Sequence, residues 1–249
     1  MAGHSKWANI QHRKGAQDAK RAKRFAKLVR EVIVAARSGQ PDPDHNARLR
    51  TAIAAAKAQS VPKENIERVL KKAQGGEDDV NFDELRYEGF GPGGIALMVD
   101  AMTDNRNRTA AEVRSIFNKH GGALGESGSV NYMFERFGAI RYESKAASAD
   151  DMFEAALEAG ASDCETDDDG HEVFCAPDDF GDVSEALADK FGAPEDAGLI
   201  WKAQTTVPIN EKAADSLFKL MEALDDCDDV QNVAANFDVS DEVMQKLSA

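Results

Sequence analysis

The stretch GGEDDVN, residues 75–81, divides this chain more sharply than any other feature. Upstream of it, apolar residues recur at helical spacing. Downstream, they alternate, as in half-buried strands. The sign of the charge changes at the same place. Residues 1–76 hold 17 Lys/Arg and 6 Asp/Glu, a net +11; residues 77–249 hold 13 and 39, a net −26. A chain that changes period and charge at one point is expected to fold as a helical module followed by sheet-containing units, each with its own core. Its 249 residues suffice for two or three such units.

The helical module is predicted as three helices. Over residues 16–37, Ala22, Phe25, Val29, Val32 and Ala36 form one apolar stripe, widened by Ala26, Leu28 and Ile33. Lys20, Lys23, Arg24 and Lys27 fall on the opposite side, with Arg21 beside them. Ser38-Gly39 ends this helix, and Pro41 and Pro43 mark a loop. A second helix is expected over 44–59, with Leu49, Ile53 and Ala56 inward. A third starts at Pro62, turns Ile66, Val69 and Leu70 inward and stops at Gly75. Three helices with one apolar face each make a small bundle.

Beyond the boundary, strands are expected over 84–90 and 94–102, joined by GFGPGG. Thr109, with Glu112 three residues on, matches a capping box, which predicts a helix from about residue 110 that buries Val113, Ile116 and Phe117. Strands over 130–136 and 139–143 follow, with a turn near Gly138. A helix over 149–159, a hairpin of 162–166 and 171–176, a helix over 179–191 and a strand over 198–205 complete a β-α-β-β-α-β order, that of a ferredoxin-like domain. A helix over 211–224 and a strand over 229–236 have no sheet of their own and are expected to return to the strands of 82–137. The fold class is therefore α+β: a three-helix bundle and two α+β domains, the last inserted in the middle one. The expected boundaries are 1–15 for a flexible basic arm, 16–76 for the bundle, 82–137 plus 206–240 for the middle domain and 138–205 for the inserted one.

Several motifs resolve to structure rather than chemistry. GFGPGG matches G-x-G-x-x-G, but a dinucleotide loop needs a helix after it, and here a strand follows. ETDDDG, residues 165–170, opens like a calcium loop, yet its twelfth position is Ala176 where a bidentate Glu is required, so it reads as a hairpin turn. The five histidines form no HExxH and no Cys/His cluster, so neither metal nor other cofactor is expected. No serine lies in a G-x-S-x-G elbow. No catalytic constellation or small-molecule substrate is evident, and an enzyme is not expected. Cys164, Cys175 and Cys227 are odd in number with no CxxC, which fits free thiols in a reducing compartment. No apolar run is long enough to span a bilayer. The N-terminus lacks the apolar core of a secretory signal.

Two segments point to a polyanion. The opening arm interleaves Lys6, Arg13 and Lys14 with Trp7 and His12, and joins the cationic side of the first helix. Cations attract phosphates and an aromatic ring stacks on bases, so the arm is expected to order on a nucleic acid. The loop DNRNR, residues 104–108, places Arg106 and Arg108 with two Asn, donors suited to phosphates or base edges. The alternative reading pairs both arginines with acids such as Asp104 or Glu88.

The chain also resembles a known family. AGHSKWANIQHRKGAQDAKRAKRFAKLVREV, YEGFGPGG, TDNRNRT and NKHGGALGESGSVNYMFERFG are similar, in order, to signatures of the YebC/PmpR family. The resemblance covers essentially the whole chain. It implies an N-terminal helical domain and two α+β domains of ferredoxin-like character. It implies a cytoplasmic bacterial protein or a mitochondrial relative, and the absence of a leader before AGHSKW favours the bacterial case. Family members are described as transcriptional regulators binding promoter DNA. The mitochondrial relatives are translational activators, linked to cytochrome c oxidase, and bacterial members are linked to the ribosome and to relief of stalling on proline runs. Three functional classes follow: a promoter-binding regulator, a ribosome-associated factor binding ribosomal RNA, and a protein-interaction module whose basic arm docks on an acidic partner. No helix-turn-helix signature or zipper stands out, and an arm bearing Trp7 suits unstacked RNA bases.

Overall fold

Asn46 governs how the first two helices meet. Its Oδ1 accepts the Leu49 N–H at 3.0 Å, while its Nδ2 donates to the carbonyls of Ala35 at 2.8 Å and Gln40 at 2.9 Å. One side chain thus caps the second helix and closes the end of the first. A computed structural model of the protein describes residues 17–75, 82–168, 170–240, 242, 243 and 246. In it the helical module comprises α1 (Gln17–Ser38), α2 (Ala47–Ala58) and α3 (Lys63–Gly75). The second helix starts at Ala47, three residues later than expected, because Asn46 is its cap.

The described residues fall into two units. One holds the three helices with Arg136–Ile200; the other runs from Phe82 to Glu135 and onward from Trp201. The first unit has two cores. Val32, Ala35, Leu49, Ile53, Ala56, Ile66 and Val69 fill the bundle. The second core lies between a four-stranded sheet and α5 (Ala149–Glu158) and α6 (Phe180–Phe191), around Ile140, Met152, Val173, Phe180 and Leu187. Its strands are β4 (Phe134–Tyr142), β5 (Asp163–Asp167), β6 (Gly170–Cys175) and β7 (Asp196–Ala203), in the order β5-β6-β4-β7. The strand that opens the motif lies between its third and fourth strands, the arrangement of a ferredoxin-like sheet. Helix α2 serves both cores: Ala52, Ile53 and Ala56 face the bundle, while Ala54, Ala55 and Ala58 pack on the sheet-containing part. A helix with alanine on two faces allows this close approach on both sides. Adding a Cβ to Gly181 of α6 would bring it within 3.9 Å of the Ala54 Cβ.

Gly138 is not a turn. The two strands expected over 130–136 and 139–143 are instead a short 3-10 turn, Asn131–Met133, and one strand, β4. Gly138 lies inside β4, and a Cβ there would come within 2.7 Å of Cys175 Sγ and 2.8 Å of Phe180 Cδ2. The glycine makes room for two core side chains, a need that mimics a turn signal in sequence.

In the other unit, β1 (Asp83–Gly91) and β2 (Ile95–Thr103) form an antiparallel hairpin in a sheet of order β3-β1-β2-β9. The short β3 (Ala123–Leu124) borders β1, and β9 (Val230–Ala235) borders β2. The hairpin turn is Pro92–Gly94, where Gly93 and Gly94 adopt φ of +80° and +73°. That left-handed backbone explains Gly93 and Gly94, while Gly89 and Gly91 stand where a Cβ would come within 2.6 Å of the Ala123 carbonyl oxygen and of Leu97 Cδ1, respectively. Helices α4 (Arg106–Lys119) and α7 (Glu211–Asp225) cover one face through Val113, Phe117, Leu217, Leu220 and Met221. The core includes β2 residues Ile95, Leu97 and Val99. On the other face Ala96, Met98 and Ala234 meet Val130, Phe134 and Trp201. Strands β8 (Val207–Pro208) and β10 (Phe237–Asp238) form a separate parallel pair.

Helix α4 starts at Arg106, not at about 110. Asn105 is the N-cap, its side chain accepting from the Arg108 N–H at 3.1 Å. Thr109 is no cap: it is fully buried, inside the helix. No described helix is long and apolar enough to cross a membrane.

Candidate nucleic-acid interface

The cationic side of α1 is built from its second turn onward. Arg21 and Lys23 are exposed; Arg24 and Lys27 are half-buried. The Arg21 guanidinium lies over the Phe25 ring, 5.2 Å from its centroid, which braces a long side chain on an aromatic face. Lys20 belongs to the same helix. The expected contacts at Lys6, Trp7, His12, Arg13 and Lys14 lie outside the described residues.

Arg24 departs from the expected solvent-facing stripe. Its Nη1 donates to Gln59 Oε1 at 3.3 Å and lies 3.8 Å from Asp196 Oδ1. Gln59 in turn donates to Asp196. This chain joins α1, the end of α2 and the start of β7, so Arg24 holds the module together as well as carrying charge. Further cations, Lys63, Arg68 and Lys71, are exposed on α3, interspersed with Glu64 and Glu67.

Arg106 and Arg108 belong to the other unit, in the first turn of α4 instead of a loop. Arg108 is engaged: its Nη2 donates to Asp104 Oδ1 and Asp229 Oδ2, each at 2.8 Å, and lies 3.3 Å from Thr103 Oγ1. Asp229 is buried and also accepts from Thr109 Oγ1 at 2.7 Å and Thr103 Oγ1 at 3.1 Å. Burial pushes its carboxyl up, but the bonds from Arg108, Thr109 and Thr103 outweigh it and hold it below the usual range. The TDNRNRT segment therefore locks the start of α4 to the residue preceding β9. Arg106 is exposed, and no ion pair engages it among the described residues.

A second buried carboxylate, Glu88, organises the glycine-rich loop. Its oxygens accept the N–H groups of Gly128 at 2.8 Å, Val130 at 2.7 Å and Asn131 at 2.9 Å. Burial raises its pKa, yet these three bonds together hold it below the ordinary Glu value. YEGFGPGG and GALGESGSVNY are thus two halves of one device: the acid of the first fixes the backbone of the second. Sequence reasoning offered Glu88 only as an acid for the arginines of DNRNR, not as the partner of backbone N–H groups, and missed Asp229. Glu88 shares its strand face with Glu84 and Arg86, which pattern reads as solvated. Asp229 lies in an acidic run, DDCDD, where one buried member leaves no mark.

Burial also pushes up the thiols of Cys164, Cys175 and Cys227, Cys175 to about 11. All three cysteines are free. No described group of three His, Cys, Asp or Glu side chains is placed to hold a metal ion.

Comparison with known proteins bears on both parts of the chain. Residues 5–76 match the TACO1/YebC protein N-terminal domain, and residues 82–237 match the TACO1/YebC second and third domain. Among solved structures, the chain is similar to a conserved hypothetical protein of Aquifex aeolicus, Aq1575. The two are 47% identical, the match covers 90% of this chain and 93% of the other, and the TM-score is 0.79.

Proposed function

Because the chain belongs to the TACO1/YebC family, we propose that it regulates gene expression by binding a nucleic acid through its basic N-terminal module. The observation that carries this reading is the segregation of charge: a net +11 over residues 1–76, with Arg21 and Lys23 presented outward on α1, ahead of a body at −26. In the field of a polyanion such a molecule orients with the module towards the phosphates and the body away from them. The contacts proposed are Lys6, Trp7, His12, Arg13 and Lys14 of the arm, Lys20, Arg21, Lys23, Arg24 and Lys27 of α1, and Arg106. Arg108 joins them only through its charge, since its donors engage Asp104 and Asp229.

Two targets share this chemistry. As a ribosome-associated factor in the cytoplasm, acting where translation stalls on proline runs, the protein would use Trp7 on unstacked bases of ribosomal RNA. As a regulator of transcription it would place a helix in the major groove of promoter DNA. The bundle supports the RNA reading: α2 is covered on two faces, and the exposed side of α3 mixes Glu64 and Glu67 among its cations.

Sedimentation of cell lysate through sucrose at low salt, with and without RNase, separates the two. Co-migration with ribosomal particles that is lost on RNase treatment, and in a variant lacking residues 1–15, is the expected result. Migration as free protein, combined with retention on promoter duplexes, would transfer the reading to DNA. Retention on neither would overturn it.

A further inference from the structure

The ferredoxin-like sheet ends in a free strand. In the order β5-β6-β4-β7, β5 pairs with β6 along all of Asp163–Asp167, and among the described residues no strand covers its other edge. A free edge offers a row of backbone N–H and C=O groups to a further strand. Helix α5 packs on β5 and β6. Helix α6 lies along β4 instead: a Cβ on Gly138 would come within 2.8 Å of Phe180, and the rings of Tyr142 and Phe191 meet edge to face. The helix beside the free edge is therefore α5.

The outer face of α5 is not that of a merely solvated helix. Phe153 is 56% exposed and Leu157 66%. They stand four residues apart and so lie side by side on one face. The core uses neither, since Met152, Ala155 and Ala156 are the buried residues of this helix. Lys190 of α6 lies 3.7 Å from Glu158, which marks the flank of α5 that faces α6. At 3.6 residues per turn, Phe153 stands about 140° round the helix from Glu158, on the flank turned to β5. Charge decides what can cover this surface. Helix α5, ADDMFEAALE, carries Asp150, Asp151, Glu154 and Glu158 and no base; β5, DCETD, carries Asp163, Glu165 and Asp167 and no base. The same surface of a second copy would set acid against acid, and a nucleic acid would bring phosphates to carboxylates, so both are repelled. A cationic segment of a protein is attracted.

We propose that β5 and the adjoining flank of α5 form a docking surface for an extended basic segment of a partner protein, which adds to β5 as a further strand. Cys164 packs in the core beneath the helices, so Asp163, Glu165 and Asp167 take the other face of the sheet. A segment that alternates apolar and cationic residues fits both faces at once. Its apolar side chains cover Phe153 and Leu157 on the helix side, and its Lys or Arg side chains stand beside the three acids of β5. This surface lies outside the basic module and does not depend on the nucleic-acid reading.

The test is a titration of the full chain with a nine-residue peptide alternating Lys and Val, followed by NMR at the amides of residues 163–167, Phe153 and Leu157. The proposal expects the peptide to shift these signals. The same peptide with its central residue replaced by Pro, which cannot continue a strand's pairing, should bind about tenfold more weakly. Phe153→Ala and Leu157→Ala should each weaken binding of the Lys/Val peptide about tenfold, as loss of a central apolar anchor does. Both side chains are exposed, so the amide spectrum elsewhere should stay that of wild type. Asp163→Asn combined with Glu165→Gln should lower the affinity and its dependence on salt. Absence of binding, equal binding of the Pro peptide, or shifts spread over the acidic surface and unmoved by either Ala variant would overturn the proposal. Signals that move on dilution without peptide would assign the surface to a second copy. Signals that move when residues 1–15 are deleted would assign it to the chain's own arm. Either result would overturn the partner segment.

Discussion

Glu88 shows how one side chain can decide the shape of a whole loop. Three backbone N–H groups converge on a carboxylate that is 4% exposed. Glu88→Gln keeps the shape but turns one acceptor into a donor facing an N–H, and should cost about 1–3 kcal/mol of stability near neutral pH. Its dependence on pH follows from the lowered pKa. The stabilisation is fully present above the unfolded value, about 4.3, and is lost as pH falls through the lower folded value. Thermal unfolding of wild type and variant should therefore differ most at pH 7 and converge only as pH falls through the lowered folded value. Asp229→Asn should behave alike, since its carboxyl is also lowered. Gly138→Ala tests steric demand instead. Its Cβ would meet Cys175 and Phe180 at under 3 Å, so it should destabilise by about 1–3 kcal/mol in denaturant titration. None of these roles shows in the sequence. A buried acid bonded to backbone, and a glycine under a core ring, are consequences of contacts far along the chain.

At the scale of elements, the sequence is far more legible. The α1 stripe and the hairpin around GFGPGG follow from periodicity and glycine placement, because each is decided by near neighbours. The misread boundaries are places where a distant partner intervened. Asn46 caps α2 because it also closes α1, and α4 starts early because Asn105 caps it, leaving Thr109 inside the helix with its hydroxyl on Asp229. The second face of α2 was equally hidden, since alanines on a helix mark no preferred side. That face predicts its own consequence: Ala55→Leu should crowd the core it shares with Ile140 and Met152 and destabilise the chain by about 1–3 kcal/mol. An exposed position on the same module, such as Lys71, should change stability within about 0.5 kcal/mol on substitution. Circular dichroism melts of both variants check the contrast.

For the molecule as a whole, the account rests on charge placed unevenly: +11 in the first 76 residues, −26 in the remainder. Overall acidity hides a module suited to phosphates. This segregation, like the long family signatures, is a property of sequence and needs no tertiary contact to be read. The network around Asp229 is the opposite case: Thr103, Arg108 and Thr109 meet on its carboxylate only once β2, α4 and the segment before β9 have packed. The most direct test of the central claim is fluorescence anisotropy of a single-stranded RNA, and of a DNA duplex, titrated with the full chain over a range of salt. Wild type is compared with a variant carrying Ala at positions 20, 21, 23 and 27, with Arg24 retained for its bonds to Gln59 and Asp196. The account predicts binding at low salt whose log–log slope flattens by roughly 3 in the folded variant. No binding to either nucleic acid, or a slope identical in both proteins, would contradict it.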